Sequence, residues 1–368
     1  MRKLIFNLHL LVALVAGAFV FVLGVTGAIM AFENELAEWF HAGRAFVTPG
    51  PQALSLAELS SSALKSYPGE HIRGFHLATR PNRSFAVVLG QRTVFVNPYT
   101  GAVLGVQSGP DRVAETLNTI HQLHLRLLIR NQADTGKEII RWSGATMVIL
   151  LLSGLYLWWP QKHIWVTRWS LADLATRAFW YDLHNAVGIL STVFLLVLAI
   201  TGVAIGFEKQ TMTLFKRITH TEPAFPPDAH STPSPGASPI SPDRVVEIAR
   251  AAVPGAAPFD INIPDAQGVY RIRSRFPEDL IGGGRSYVMV DQYSGKVLFA
   301  LGSRTAPASV RLLTLNRALH TGDIFGTPSK VLMSMASLAA ALQMVSGLIM
   351  WWKRIRKAAA PARSQDQS

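Results

Sequence analysis

Four runs in this 368-residue chain are apolar for long enough to cross a bilayer, and they come as two copies of one pair. A spanning helix needs roughly 20 apolar residues. Residues 8–32, 142–159, 183–207 and 331–352 meet that need, the second with help from Ile139 and Ile140 and an Arg141 able to snorkel to the interface. The copies are explicit in the letters: LHLLVALVAGAFVFVLGVTGAIMAFEN carries His9, and LHNAVGILSTVFLLVLAITGVAIGFEK carries His184. His9 precedes Thr26 by 17 residues, as His184 precedes Thr201. TLNTIHQLH ends on His124 and LLTLNRALH on His320, and each copy closes with a matching exit, SGLYLWW (153–159) and SGLIMWW (346–352). Such a chain folds as a duplicated integral membrane protein.

The first run follows Arg2 and Lys3 but is longer than the 7–15 apolar residues of a secretory leader, and its copy near residue 190 cannot be one. Both read as retained spans. Segments 1–8, 160–182 and 353–368 hold 10 Lys and Arg against 3 Asp and Glu, about twice the density of basic residues in the long connections. By the positive-inside rule these short segments, with both termini, face the cytoplasm and the long connections lie outside. The net charge of +12 therefore reflects topology and anionic lipid, not nucleic acid. The absence of cysteine removes thiolate metal sites and covalent haem attachment.

Each long connection predicts a small α+β unit. The first has a helix at 56–67 and strands at 72–78, 84–89 and 93–97 with one more after a turn; the second has a helix at 242–253 and strands at 260–263, 268–273, 286–290 and 296–300. VNPYTGAVLG (96–105) matches VDQYSGKVLF (290–299), where the turn needs a glycine at positive φ. An enlarged hairpin loop at 281–284 occurs in the second copy alone. Seven prolines within 221–243 mark an extended linker. The expected organisation is a span at 4–32, a first extracytoplasmic domain at 33–111, a juxtamembrane helix at 112–137, a span at 138–160 and a loop at 161–182. The second copy repeats it with a span at 183–207, a linker at 208–243, a domain at 244–306, a juxtamembrane segment at 307–330, a span at 331–352 and a basic tail at 353–368.

The V-[ND]-x-[YT]-[ST]-G-x-V-L cores resemble PepSY domains, and the histidine-bearing spans with their SGLxxWW exits are similar to the PepSY-associated transmembrane family, over about residues 4–353. That resemblance implies four transmembrane helices in two pseudo-symmetric repeats with two small α+β PepSY-like domains. The family includes iron-regulated inner-membrane proteins and siderophore-iron reductases of the FoxB type. It thereby implies a ferric siderophore as the substrate of a haem-dependent reductase.

Histidine within hydrocarbon is costly and marks function. The repeat offers two sites, His9 with His184 and His124 with His320, each with imidazoles from opposite halves. Two imidazoles suit the iron of a non-covalent b-type haem better than a bare copper or zinc ion, which needs more protein ligands. Two haems would then form an electron-transfer route, and Gly17, Gly24, Gly27, Gly188 and Gly202 would let a macrocycle lie against backbone or let helices pack closely. Arg126, Arg141, Arg177, Arg317 and Lys330 stand at depths suited to propionates. His121, three residues before His124 and matched by Arg317 in the other copy, is an alternative ligand or a donor to one. His41, His71, His76, His163, His220 and His230 read as surface residues, and Trp158, Trp159, Trp351 and Trp352 as an interfacial belt. No dinucleotide fingerprint appears, so a quinol or a partner reductase must donate electrons. The competing readings are a haem-free regulatory or transporter-accessory module and an electron-transfer subunit for another periplasmic acceptor.

Overall fold

The structure, a computed structural model, describes residues 1–109, 111–130, 134–159, 170, 172–231, 238–265 and 267–359. Parts of the expected cytoplasmic loop with His163, of the proline-rich linker and of the basic tail lie outside the described residues. The first copy runs α1 (Arg2–Met30), α2 (Glu33–Phe40), α3 (Ala42–Ala45), α4 (Leu56–Ser66), β1 (Ile72–His76), β2 (Phe85–Leu89), β3 (Arg92–Val96), β4 (Val103–Ser108), α5 (Arg112–Arg126) and α6 (Thr135–Trp158). The second runs α7 (Arg177–Gly206), α8 (Glu208–Thr219), α9 (Pro242–Ala252), β5 (Ala257–Asn262), β6 (Val269–Arg275), β7 (Ser286–Asp291), β8 (Val297–Leu301), α10 (Ala308–Thr321) and α11 (Thr327–Ala359).

Two compact units result. One comprises Met1–Phe32, Asn118–Glu208 and Leu319–Ser368; the other comprises Glu33–Leu117 and Lys209–Ala318. In the first unit α1, α6, α7 and α11 are long and apolar enough to cross a membrane. They begin earlier than the apolar runs suggest, because charged residues near a helix start can be paired: in α6, Lys137 binds Asp134 at 2.8 Å and Arg141 binds Glu138 at 2.8 Å. The four form a closed ring in which α1 and α7 each touch both α6 and α11, so each copy packs against the other. Val20, Leu195, Ala336 and Ala340 fill its centre. Close approach replaces bulk there, as expected where lipid removes the hydrophobic drive between helices. A Cβ on Gly24 would lie 2.7 Å from the Ser337 carbonyl, and the Ser337 hydroxyl donates to the Gly24 carbonyl at 2.9 Å.

In the second unit the strands form one antiparallel sheet of order β4-β3-β2-β1-β5-β6-β7-β8. The two extracytoplasmic domains expected from the sequence are thus halves of a single sheet. Each half would otherwise leave its first strand as a bare edge, and β1 and β5 cover one another, pairing Gly74 with Asn262, Phe75 with Ile261 and His76 with Asp260. Gly74 permits the contact, since a Cβ there would stand 2.7 Å from the Ile261 carbonyl oxygen. One shared core follows: Leu59 and Ala63 of α4 and Val245 and Ala249 of α9 cover Phe75, Val87, Ile261 and Val288 on one face of the sheet. The helices start where their caps dictate, α4 from a Ser55–Glu58 capping box and α9 from Ser241 followed by Pro242. Gly101 and Gly295 both have φ of 71°, as the turn motif requires. The 281–284 loop folds back on its own hairpin, with Ile281 buried and Arg273 donating to the Gly283 carbonyl at 2.7 Å.

Candidate functional site

Helix direction brings the repeated residues together. The start of α1 meets the end of α6, and there His9 Nδ1 lies 2.8 Å from the Ser153 hydroxyl. The second copy reproduces the contact between α7 and α11, with His184 Nδ1 2.8 Å from Ser346 Oγ. At the far end of α1, His124 of α5 sets its Nδ1 2.8 Å from Thr26 Oγ1. Its counterpart His320 of α10 sets Nδ1 3.0 Å from Thr201 Oγ1 of α7 and 3.1 Å from the Leu198 carbonyl oxygen. Seventeen residues separate His9 from Thr26, about 26 Å of helix. Two histidine pairs therefore occupy opposite ends of the bundle, and every imidazole is held by a hydroxyl from its own copy.

The residue after each hydroxyl is glycine, and each of these glycines lies against the imidazole. A Cβ on Gly27 would fall 3.2 Å from His124 Cε1, and one on Gly202 only 2.9 Å from His320 Cε1; at Gly154 and Gly347 the distances to His9 and His184 are 3.5 and 3.6 Å. Among the glycines singled out from the sequence, Gly27 and Gly202 thus make room for histidine rings. Gly24 serves helix packing, while Gly17 and Gly188 stand beside Met344 and Gln343.

His9 and His184 line one cavity of about 1080 Å³. Arg2, Lys3, Arg177 and Arg354 also line it, and no Asp or Glu does, so the cavity favours an anionic group. The tandem tryptophans divide their roles. Trp158 and Trp351 line the cavity, whereas Trp159 and Trp352 are exposed, so half of the expected interfacial belt belongs to the site. The copies differ on the wall, for example where Gln343 of the second stands at the position of Leu150 in the first; Gln343 donates to the His184 carbonyl at 2.9 Å.

Around His124, burial pushes the imidazole down to about 3, and the neighbouring His320 and His121 add to the effect. The ring is therefore neutral, as a metal ligand must be. His121 is half-buried near it. Arg126 and Arg141 both bury an Nε that bonds no described residue, while Arg141 also lies over the Phe207 ring at 4.7 Å. Lys330 is engaged by Asp323 at 3.2 Å, and Arg317 is exposed on α10. His41, expected at the surface, is half-buried against Asp111 at 2.9 Å, whereas His71, His76, His220 and His230 are exposed. Among the described residues, no three of His, Asp and Glu gather in a way that could hold a bare ion.

The family profile described as PepSY-associated TM region matches residues 6–354, nearly the whole chain. The chain belongs to this family. Both histidine pairs fall within the matched span. No curated protein matches the chain.

The hydroxyls were visible in the sequence only as repeat markers, and Gly27 and Gly202 only as room for a macrocycle or for helix packing. What their spacing did not convey is that Thr-Gly and Ser-Gly each pair with a histidine on another helix.

Proposed function

We propose that the chain is an electron-transfer membrane protein with two non-covalent b-type haems, one held by His9 and His184 and the other by His124 and His320. The observation that carries this reading is the fourfold repetition of one arrangement, a histidine whose Nδ1 is bonded to a hydroxyl beside a glycine. An imidazole bonded through Nδ1–H presents the Nε2 lone pair, the form in which histidine binds a metal. Two such nitrogens per site would suffice to hold haem iron and fall short of what bare zinc requires. The cavity beside His9 and His184 has the size of a cofactor pocket, and its basic lining suits propionate carboxylates. Arg126 and Arg141, each with an unsatisfied buried Nε, are the corresponding cations for the other pair.

When bound, haem supplies a reversible one-electron couple. The chain's own residues do the rest. The four histidines would hold the iron, the basic residues would neutralise the propionates, and the apolar helices would exclude water from both sites. The reading continues with one electron taken from a quinol or partner reductase on the cytoplasmic side. It is delivered to a periplasmic acceptor, in keeping with the family resemblance a ferric siderophore, whose iron(III) becomes iron(II) and is released from its weakened chelate.

The experiment is optical. The purified chain is expected to be red, with a Soret band, an α-band that sharpens on dithionite, and two haems per chain. Replacing His9 or His184 by Ala should remove one haem, and replacing His124 or His320 should remove the other. Reduced protein mixed with ferric siderophore should reoxidise faster than by oxygen alone. A colourless preparation from haem-sufficient cells refutes the proposal and favours a haem-free regulatory module.

A further inference from the structure

We infer that Ser153, Ser346, Thr26 and Thr201 are positioning residues that set both the tautomer and the donor strength of the four imidazoles. This rests on the haem reading above and specifies what tunes the couple at each site.

The hydrogen accounting leads there. A hydroxyl has one hydrogen to give and two lone pairs to receive. Each of the four lies within reach of a carbonyl one turn back in its own helix: Ser153 Oγ to Ile149 O at 2.7 Å, Thr26 Oγ1 to Val22 O at 2.6 Å, Thr201 Oγ1 to Val197 O at 2.6 Å and Ser346 Oγ to Gln343 O at 3.1 Å. With that hydrogen committed, the oxygen can only accept from the histidine, which places the proton on Nδ1. His320 gives the same answer independently, because its Nδ1 also faces the Leu198 carbonyl, and a carbonyl only accepts.

Back-bonding to a helix carbonyl is ordinary for Ser and Thr in apolar helices, and Ser191 and Thr192 do it as well. The four positions differ because each adds an imidazole and a following glycine. An Nδ1–H that donates makes Nε2 a stronger ligand and so favours the ferric state; an unpaired Nδ1–H weakens it and favours the ferrous state. The hydroxyls therefore hold both potentials down.

The test is a spectroelectrochemical titration of the holoprotein with Thr26→Val, Thr201→Val, Ser153→Ala and Ser346→Ala. Thr26→Val, Ser153→Ala and Ser346→Ala should each raise the ferrous-to-ferric ratio of their own pair about tenfold at fixed applied potential, equivalent to about 59 mV for a one-electron couple, and Thr201→Val should raise it by less, because the Leu198 carbonyl still accepts from His320 Nδ1. The other pair should be unmoved. Thr26→Ser and Ser153→Thr, which keep a hydroxyl, should restore the wild-type value, and Ser191→Ala serves as the control. Loss of haem from the affected pair alone, reversed by the hydroxyl-retaining variant, also supports the assignment. Two haems with unshifted potentials in all four variants overturn it and leave the haem reading standing, as does a shift of equal size in Ser191→Ala. A colourless wild-type chain overturns both.

Discussion

The four glycines beside the imidazoles make a graded series, and alanine at each tests whether room for the ring is their purpose. At Gly202 a new Cβ would stand 2.9 Å from His320 Cε1, well inside the 3.4–4 Å of ordinary contact, so the ring must move by roughly half an ångström or more. That movement stretches bonds of 3.0 Å to Thr201 and 3.1 Å to Leu198. Overpacking of this kind costs about 1–3 kcal/mol, against which alanine returns about 1 kcal/mol of helix propensity. The net is a loss of about 0–2 kcal/mol with a displaced histidine. Gly27→Ala falls in the same class, with contacts of 2.8 Å to Ser337 Oγ and 3.2 Å to His124 Cε1. Gly154→Ala and Gly347→Ala meet only 3.5 and 3.6 Å, so they should stabilise by up to about 1 kcal/mol. The assay is survival of the monodisperse peak after a temperature ramp in detergent, with the absorbance of the haem proposed for each histidine pair recorded in parallel. Equal losses in Gly154→Ala and Gly202→Ala, or a stabilisation of Gly202→Ala and Gly27→Ala matching that of Gly154→Ala, would refute the steric reasoning.

Further outcomes are expected elsewhere in the molecule. Gly24→Ala should separate α1 from α11, since its Cβ would lie 2.7 Å from one backbone atom and 3.0 Å from another; a loss of about 1–3 kcal/mol is expected in the same heating assay, and unchanged stability contradicts it. Gly74→Val should open the β1–β5 seam, read as faster amide exchange in those two strands, and unaltered protection there counts against the seam as described. Burial would raise the Asp111 carboxyl, but Arg44, the Ala114 amide and His41 outweigh it and hold it below its ordinary value. A depressed carboxylate contributes stability that is complete above its unfolded value of about 3.9 and lost as pH falls through the folded one. Asp111→Asn should therefore destabilise by about 1–2 kcal/mol near neutral pH, removing an ion pair and part of the α5 cap, with the gap to wild type closing below about pH 4. A gap independent of pH would show that the charge plays no part.

Much of this was readable because the bilayer and the duplication each impose a strong pattern. Apolar length marks a span whatever its neighbours do, and His9, His124, His184 and His320 stand out because one repeat predicts the other. Strand alternation likewise located β2, β3, β6 and β7 within a residue or two. The β1–β5 seam left no such trace. An edge strand looks the same whether it faces water or another strand, and only the backbone approach at Gly74 distinguishes them. Thr26, Thr201, Ser153 and Ser346 were hidden for a related reason: their partners lie 98, 119, 144 and 162 residues away, beyond any helical or strand period. Trp158 and Trp159 are adjacent and identical in type, so which one faces the cavity depends on helix rotation alone.

Every hydroxyl–imidazole bond joins residues of the same repeat, whereas each histidine pair draws on both. A polypeptide of half this length would carry all it needs to aim its two imidazoles but could complete neither site, and its sheet would end on an uncovered β1. Two such polypeptides could supply one another's missing imidazoles, and their first strands could cover one another. The tandem chain is the tethered form of that dimer, free to let its halves diverge, as Leu150 and Gln343 have done, without losing either pair.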